Sequence, residues 1–325
     1  MISIDKYREI VEKAILELPK GKRPEGLYSP IDYVLSLGGK RIRPALCLAG
    51  TALFNEAAVE QSIPTALGLE IFHNFTLLHD DIMDKSPIRR NHPTVHEKWN
   101  DNTAILSGDA MLIQAYQHIA QSPKESLQQV LIIFNQTAIE VCEGQQYDMD
   151  FETRTDVTES EYLEMIRLKT GVLIGASLKI GAIIGGATNE EAENIYDFGV
   201  KLGICFQLQD DWLDVFGDQK EFGKPIGGDI LNNKKTFLLI NALNNLEAQE
   251  KNELIDWTKR KKFNQNEKIE AVKNLYEKGN ASTNTQELME KYYQKSMESL
   301  NKINGNNSIK NELVSFSTVL MRRNR

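Results

Sequence analysis

LGLEIFHNFTLLHDDIMD, residues Leu67–Asp84, carries a mostly apolar run straight into three aspartates, Asp80, Asp81 and Asp84. The spacing Asp-Asp-x-x-Asp returns once, as Asp210, Asp211 and Asp214, behind the apolar run Ile204–Leu208. With 17 aspartates in 325 residues, one such pattern is expected by accident about 0.05 times and two about 0.001 times. On a helix turning about 100° per residue, the first and last aspartate of a cluster lie about 40° apart, and the middle one about 100° from the first. Each cluster therefore crowds three carboxylates onto one face, where they repel one another. Aspartates near the carboxyl end of a helix also oppose its dipole. A cation relieves both problems. Carboxylate oxygens without Cys or paired His suit a hard ion such as Mg²⁺ rather than zinc, and Mg²⁺ shares its shell with water and phosphate oxygens. The clusters therefore predict a phosphate-bearing ligand.

Outward from the clusters the sequence keeps the helical period. Tyr7, Ile10, Val11, Ala14, Ile15 and Leu18 recur at three and four residues, and alternating segments of the strand kind are nearly absent. Long helices are expected over 42–55, 64–85, 100–121, 125–148, 159–186 and 190–216, and shorter ones from about 235 to 322. Loops rich in Gly, Pro or Asn separate them at Pro19–Pro30, Gly38-Gly39, Ser86–Pro93 and Gly217–Asn233. No Pro/Ser linker or shift of composition divides the chain, so residues 1–325 are read as a single all-α domain of packed helices.

Composition narrows the class further. With 41% hydrophobic and 26% charged residues, the chain is neither disordered nor collagen-like. Cys47, Cys142 and Cys205 are too few and too far apart for a disulfide framework or a paired zinc site, which fits a reducing cytoplasm. Charges scattered through MISIDKYREIVEKAILEL argue against a signal peptide. The most membrane-like stretch, Gly171–Thr188, is short, Gly-rich and interrupted by Lys179, and reads as a buried helix rather than a span. A net charge of −8, with no basic and aromatic groove, excludes nucleic acid as the partner. An acidic chain that handles anions must concentrate cations locally. The candidates are Lys40, Arg41 and Arg43 after Gly38-Gly39, Arg89 and Arg90 past the first cluster, and Lys224 and Lys234 past the second. Each lies in or beside a loop next to a cluster or a helix start, where donors can close over an anion. The glycine pair would let backbone approach that anion closely.

The segments Gly38–Pro44, His73–Pro93, Gly108-Asp109, Lys169-Thr170-Gly171, Phe206–Gly217 and Gly223–Thr236 resemble the trans-type isoprenyl diphosphate synthases, the farnesyl and geranylgeranyl diphosphate synthase family. The resemblance implies an all-α isoprenoid-synthase helical bundle around a deep central cavity, usually a homodimer. Three Mg²⁺ ions are expected to link both clusters to a substrate diphosphate. Carried over by position, Asp80, Asp84 and Asp210 would ligate metal directly, and Asp81, Asp211 and Asp214 further out or through water. Arg89, Lys169 and Lys224 would hold the allylic diphosphate, whether dimethylallyl, geranyl or farnesyl. Lys40, Arg43, His73 and Arg90 would hold isopentenyl diphosphate. Lys234, or Lys235 beside it, would help the leaving diphosphate depart, and the oxygens of Thr170 and Gln207 would stabilise the carbocation.

The implied chemistry is ionisation of an allylic C–O bond, attack by the isopentenyl double bond and loss of a proton, lengthening the chain by five carbons. Phe75 and Thr76, five and four positions before Asp80, would floor the chain-binding cavity, a pattern that resembles C20 synthases and favours geranylgeranyl over farnesyl diphosphate. Arg322-Arg323-Asn324-Arg325 resembles a basic tail able to fold over the site. A class I terpene cyclase shares the first cluster but typically replaces the second with an Asn/Ser/Glu motif. Non-catalytic partner subunits tend to lose both clusters, and here both are intact. A di-iron bundle needs two Glu-x-x-His motifs, and Glu70-Ile71-Phe72-His73 has no second copy. The dipeptide His79-Asp80 alone is weak support for a metal phosphohydrolase.

Overall fold

The computed structural model describes residues 4–217 and 226–321. Its regular structure is almost entirely helical: α1 Ile4–Leu16, α2 Glu25–Ser36, α3 Ile42–Phe54, α4 Val59–Met83, α5 Val95–Lys98, α6 Asp101–Ile119, α7 Leu127–Thr153, α8 Glu159–Ile166, α9 Val172–Ile184, α10 Asn189–Phe216, α11 Gly228–Leu231, α12 Phe237–Asn245, α13 Ala248–Lys259, α14 Gln265–Lys278, α15 Ala281–Asn301 and α16 Asn307–Met321. The all-α class expected from the periodicity is the class found.

Side chains at the helix starts set several boundaries. Thr158 and Thr188 each form a reciprocal box with the glutamate three positions on, Glu161 and Glu191, so two orphan N–H groups are satisfied at each start. Asn100 caps α6 by accepting from Thr103 N–H at 2.8 Å.

Five departures from the expected elements occur. α2 begins inside the expected Pro19–Pro30 loop and runs on to Ser36, and α4 starts at Val59 rather than at residue 64. Both helices tolerate an internal proline, Pro30 and Pro64, because the carbonyls left open four residues earlier belong to exposed Gly26 and Glu60, which water can serve. Within Ser86–Pro93 a two-residue antiparallel ribbon forms, β1 Ile88–Arg89 against β2 His92–Pro93, turned by Arg90 and Asn91 at φ 53° and 62°. The helix expected over 159–186 is interrupted by a π turn, Arg167–Gly171, in which Val172 N–H bonds back to the Arg167 carbonyl. The Gly217–Asn233 loop contains the single turn α11.

The chain divides into two compact units. The first comprises Met1–Thr137, Ile174–Tyr196 and Lys302–Val314. In it α4 packs chiefly against α6 and α3 and buries Leu67, Leu69, Ile71 and Phe72. Each such side chain removed from water stabilises the fold by roughly 1.5–3 kcal/mol. The Gly-rich stretch of α9 is a buried helix, as expected, with Leu178, Ile180 and Ala182 inaccessible. The second unit comprises Ala138–Leu173, Asp197–Asn301 and Ser315–Arg325. Its core gathers Val215, Leu238, Leu254, Trp257, Leu275 and Tyr276. Among the described residues no helix is long and apolar enough to cross a membrane.

Candidate active site

In the first unit, α4 delivers His73, Phe75, Thr76, Asp80 and Asp81 on one continuous helix and ends at Asp84, its C-cap. Asp81 is buried and accepts from Arg89 Nε through both oxygens, at 2.8 and 2.9 Å, while Arg89 Nη2 stands 3.5 Å from Asp80 Oδ2. Burial pushes the Asp81 carboxyl up to about 6 despite the guanidinium beside it. Asp80 is more open and Asp84 is exposed.

The ribbon turn aims Arg90 the other way. Its Nη1 donates to the Gly38 carbonyl and lies 3.5 Å from Asn74 Oδ1. Gly39, at φ 154°, makes this possible: a Cβ there would fall 3.0 Å from Arg90 Cζ. The glycine pair thus seats an arginine, a different reason from the close anion approach expected of it. Arg43 Nη1 donates to His73 Nε2 at 3.0 Å, so the imidazole is neutral there. Burial, then the guanidiniums of Arg43, Arg90, Arg89 and Arg41, hold the His73 pKa well below its ordinary value. Burial likewise pushes Arg43 down to about 10. Arg41, one of the candidate cations, instead has a structural setting. It is buried, donating to Glu70 at 2.7 Å, Glu12 at 2.8 Å and the Leu35 carbonyl at 2.8 Å. Lys40 is exposed, and its carbonyl accepts from Arg8. Phe75 is half-buried, its ring 5.7 Å from Phe72 and 4.8 Å from His79. Thr76 donates to the His73 carbonyl at 2.8 Å.

In the second unit, α10 carries Gln207, Asp210, Asp211 and Asp214. The middle aspartate is again the buried one: Tyr162 OH donates to Asp211 Oδ2 at 2.5 Å and Gln207 Nε2 to Oδ1 at 2.9 Å. That bond fixes the Gln207 amide, and its Oε1 accepts from Thr170 Oγ1 at 3.2 Å. Asp214 pins the turn opposite, accepting Asp229 N–H at 2.9 Å. Asp229 in turn lies 3.6 Å from Lys234 Nζ. Burial and neighbouring carboxylates hold both Asp211 and Asp229 above the usual carboxylate range. Lys169 projects from the π turn and donates to Asp148 at 2.5 Å. Gly144, one helical turn before Asp148, lets the backbones touch, since a Cβ there would fall 2.4 Å from Lys169 N.

The structure thus brings together Arg43 with His73, Arg89 with Asp80 and Asp81, and Thr170 with Gln207 and Asp211. Lys234 meets Asp229, whereas Lys235 is turned to the Asn233 carbonyl at 3.1 Å. Lys224 and the tail Arg322–Arg325 lie outside the described residues. Asp148, Asp229, Tyr162 and Glu70 were not singled out as site residues. Asp229 falls inside the Gly223–Thr236 segment and was within reach of the motif reading. Asp148 and Tyr162 are single residues with no repeat to mark them. Among the described residues no three His, Cys, Asp or Glu side chains converge into a ready-made metal cage.

Comparison with known proteins extends this picture. The geranylgeranyl diphosphate synthase of Methanosarcina mazei is 45% identical over 235 residues, covering 71% of this chain and 72% of that protein. A crystal structure of a geranylgeranyl pyrophosphate synthase superposes with TM-score 0.94 at 43% identity, covering 100% of both chains. That of the Corynebacterium glutamicum enzyme of the same name, complexed with isoprenyl diphosphate and magnesium, gives TM-score 0.88 at 25% identity over 99% of this chain and 100% of that one. Residues 24–276 match the polyprenyl synthetase family as a whole. Doubled aspartate clusters on long helices, an all-α fold and this match over most of the sequence make the chain a member of the polyprenyl synthetase family.

Proposed function

We propose that the chain is a short-chain trans-isoprenyl diphosphate synthase that joins isopentenyl diphosphate to an allylic diphosphate, with geranylgeranyl diphosphate as its main product. The observation that carries this reading is the repeated cluster geometry, in which the middle carboxylate is buried on protein donors and its neighbours are more open. Relatives of the same name support the product length.

The donor set fits Mg²⁺. The carboxyl of Asp211, buried and repelled by Asp229, favours a nearby positive charge, and an ion that completes its shell with water and phosphate needs no protein cage. Asp80, Asp84 and Asp210 would hold it directly, and Asp81, Asp211 and Asp214 at one remove; three ions per site belong to the proposal. Bound Mg²⁺ supplies positive charge against the departing diphosphate.

The side chains do the rest. Arg89 and Lys169 exchange their carboxylate partners for allylic diphosphate oxygens, joined by Lys224. Lys234 meets the charge that develops as the C–O bond breaks and its electron pair leaves on the diphosphate. Lys40, Arg43, His73 and Arg90 hold isopentenyl diphosphate, with neutral His73 adding no charge of its own. The amide of Gln207, locked by Asp211, turns its oxygen dipole and that of Thr170 toward the allylic cation. The isopentenyl double bond attacks that cation, and the released diphosphate takes the proton lost afterwards. Phe75 and Thr76 set where the growing chain stops.

We further read residues 1–325 as one domain of this family, acting in the cytoplasm as a homodimer. Three free cysteines support the compartment. Exposed Ile105, Leu106 and Ile113 of α6 and Ile132 of α7, an apolar surface on the first unit, support the dimer.

Incubation with Mg²⁺, isopentenyl diphosphate and dimethylallyl, geranyl or farnesyl diphosphate, followed by chromatographic sizing, tests the reading. A C20 product from each starter, abolished by a chelator, is expected. Diphosphate release with a cyclised hydrocarbon, or no Mg²⁺-dependent condensation at all, overturns it.

A further inference from the structure

Lys268, on α14, is a fully buried lysine that has no carboxylate partner among the described residues. Its ammonium donates to Asn233 Oδ1 at 2.7 Å, stands 3.4 Å from the Leu231 carbonyl and lies 4.3 Å above the Phe263 ring. Keeping a cation there, where burial disfavours its charge, requires something in return. What it holds is the end of α11: a carbonyl at the negative pole of that turn, and an asparagine at φ 54°. Asn233 directly precedes Lys234. The Lys234 N–H bonds to the Asp229 carbonyl at 3.0 Å, and the Asn233 carbonyl is braced by Lys235 at 3.1 Å. The turn Leu231–Asn233 therefore decides where Lys234 stands relative to Asp229, and Lys268 grips that turn from inside.

We propose that Lys268 is a positioning residue which, through Asn233, holds Lys234 against Asp229 for departure of the diphosphate. This rests on the synthase reading above only for its catalytic consequence.

The test uses the full chain and approaches the contact from both sides. Asn233→Gly keeps the left-handed backbone and removes the acceptor; Asn233→Asp keeps both. Asn233→Gly and Lys268→Met are expected to lower kcat about tenfold with KM for isopentenyl diphosphate unchanged, and Asn233→Asp to retain activity. Adding Lys268→Met to Lys234→Ala is expected to cause no further loss. Independently of turnover, amine labelling of Lys234 followed by mass spectrometry should accelerate severalfold in Asn233→Gly. Faster labelling in a chain whose wild type condenses nothing would leave the positioning role standing and remove the synthase reading. Unchanged labelling, or additive losses in the double variant, overturns the positioning role even if Lys268→Met fails to fold.

Discussion

Asp81 and Asp211 are the buried members of their clusters, held by Arg89 in one case and by Tyr162 with Gln207 in the other, while the flanking aspartates are more accessible, and the proposed metal role falls to them. Asp80→Ala is therefore expected to lower turnover by about 100-fold or more, roughly 3 kcal/mol of transition-state stabilisation, in a Mg²⁺-dependent condensation assay. Unaltered turnover would remove Asp80 from the metal set. His73 offers a second prediction. Its folded pKa lies well below the ordinary 6.5, so below about pH 6.5 the unfolded chain binds the proton that the folded chain refuses. Stability from this residue is intact above that pH and falls as the pH drops further. His73→Gln, still able to accept from Arg43, should flatten the decline of Tm between about pH 7 and 5. The aspartate clusters were legible at this scale because repetition marks them. Asp229 and Asp148 were not, because the pairings that give them a role, Asp148 with Lys169 and Asp229 with Asp214 and Lys234, arise only in the fold. Arg41 was legible only as a cation: its pairing with Glu70 and Glu12 depends on α1 and α4 meeting α3.

Among the elements, α4 was legible nearly whole from its apolar period, and it starts at Val59 rather than residue 64 with Pro64 a tolerated interior residue. The π turn was invisible, since Arg167–Gly171 contains no proline and reads as ordinary helix continuing into the apolar stretch after it. Close approach of α7 to that turn gives a third prediction. Gly144→Ala drives a Cβ to within 2.4 Å of Lys169 N and 2.8 Å of its Cα, so backbone must move. The expected loss is about 1–3 kcal/mol by urea titration, with kcat lowered as Lys169 leaves Asp148. Phe75 stands in an aromatic row along α4, with Phe72 and His79 on either side. Removing its ring by Phe75→Ala should lengthen the product by at least one isoprene unit on chromatography; an unchanged length would eliminate it as the floor.

For the whole molecule, the sequence made the all-α class and the family resemblance plain, because six ordered motifs run from Gly38 to Thr236. The grouping of residues into two compact units was not plain: it depends on distant segments such as Lys302–Val314 joining residues from the amino-terminal third. The exposed aliphatic surface was equally hidden, since Ile105, Leu106, Ile113 and Ile132 read as ordinary helical apolar positions. If that surface is covered by a second copy, Ile113→Lys, at a position 59% exposed in one chain, should shift sedimentation from dimer to monomer without lowering the Tm of the monomer. The π turn Arg167–Gly171 also constrains how such chains can be recombined. One residue added or lost there rotates everything downstream by about a third of a revolution relative to everything upstream. Hybrids spliced across it from related sequences must conserve its residue count before its residue identities, much as a gear train conserves its tooth number.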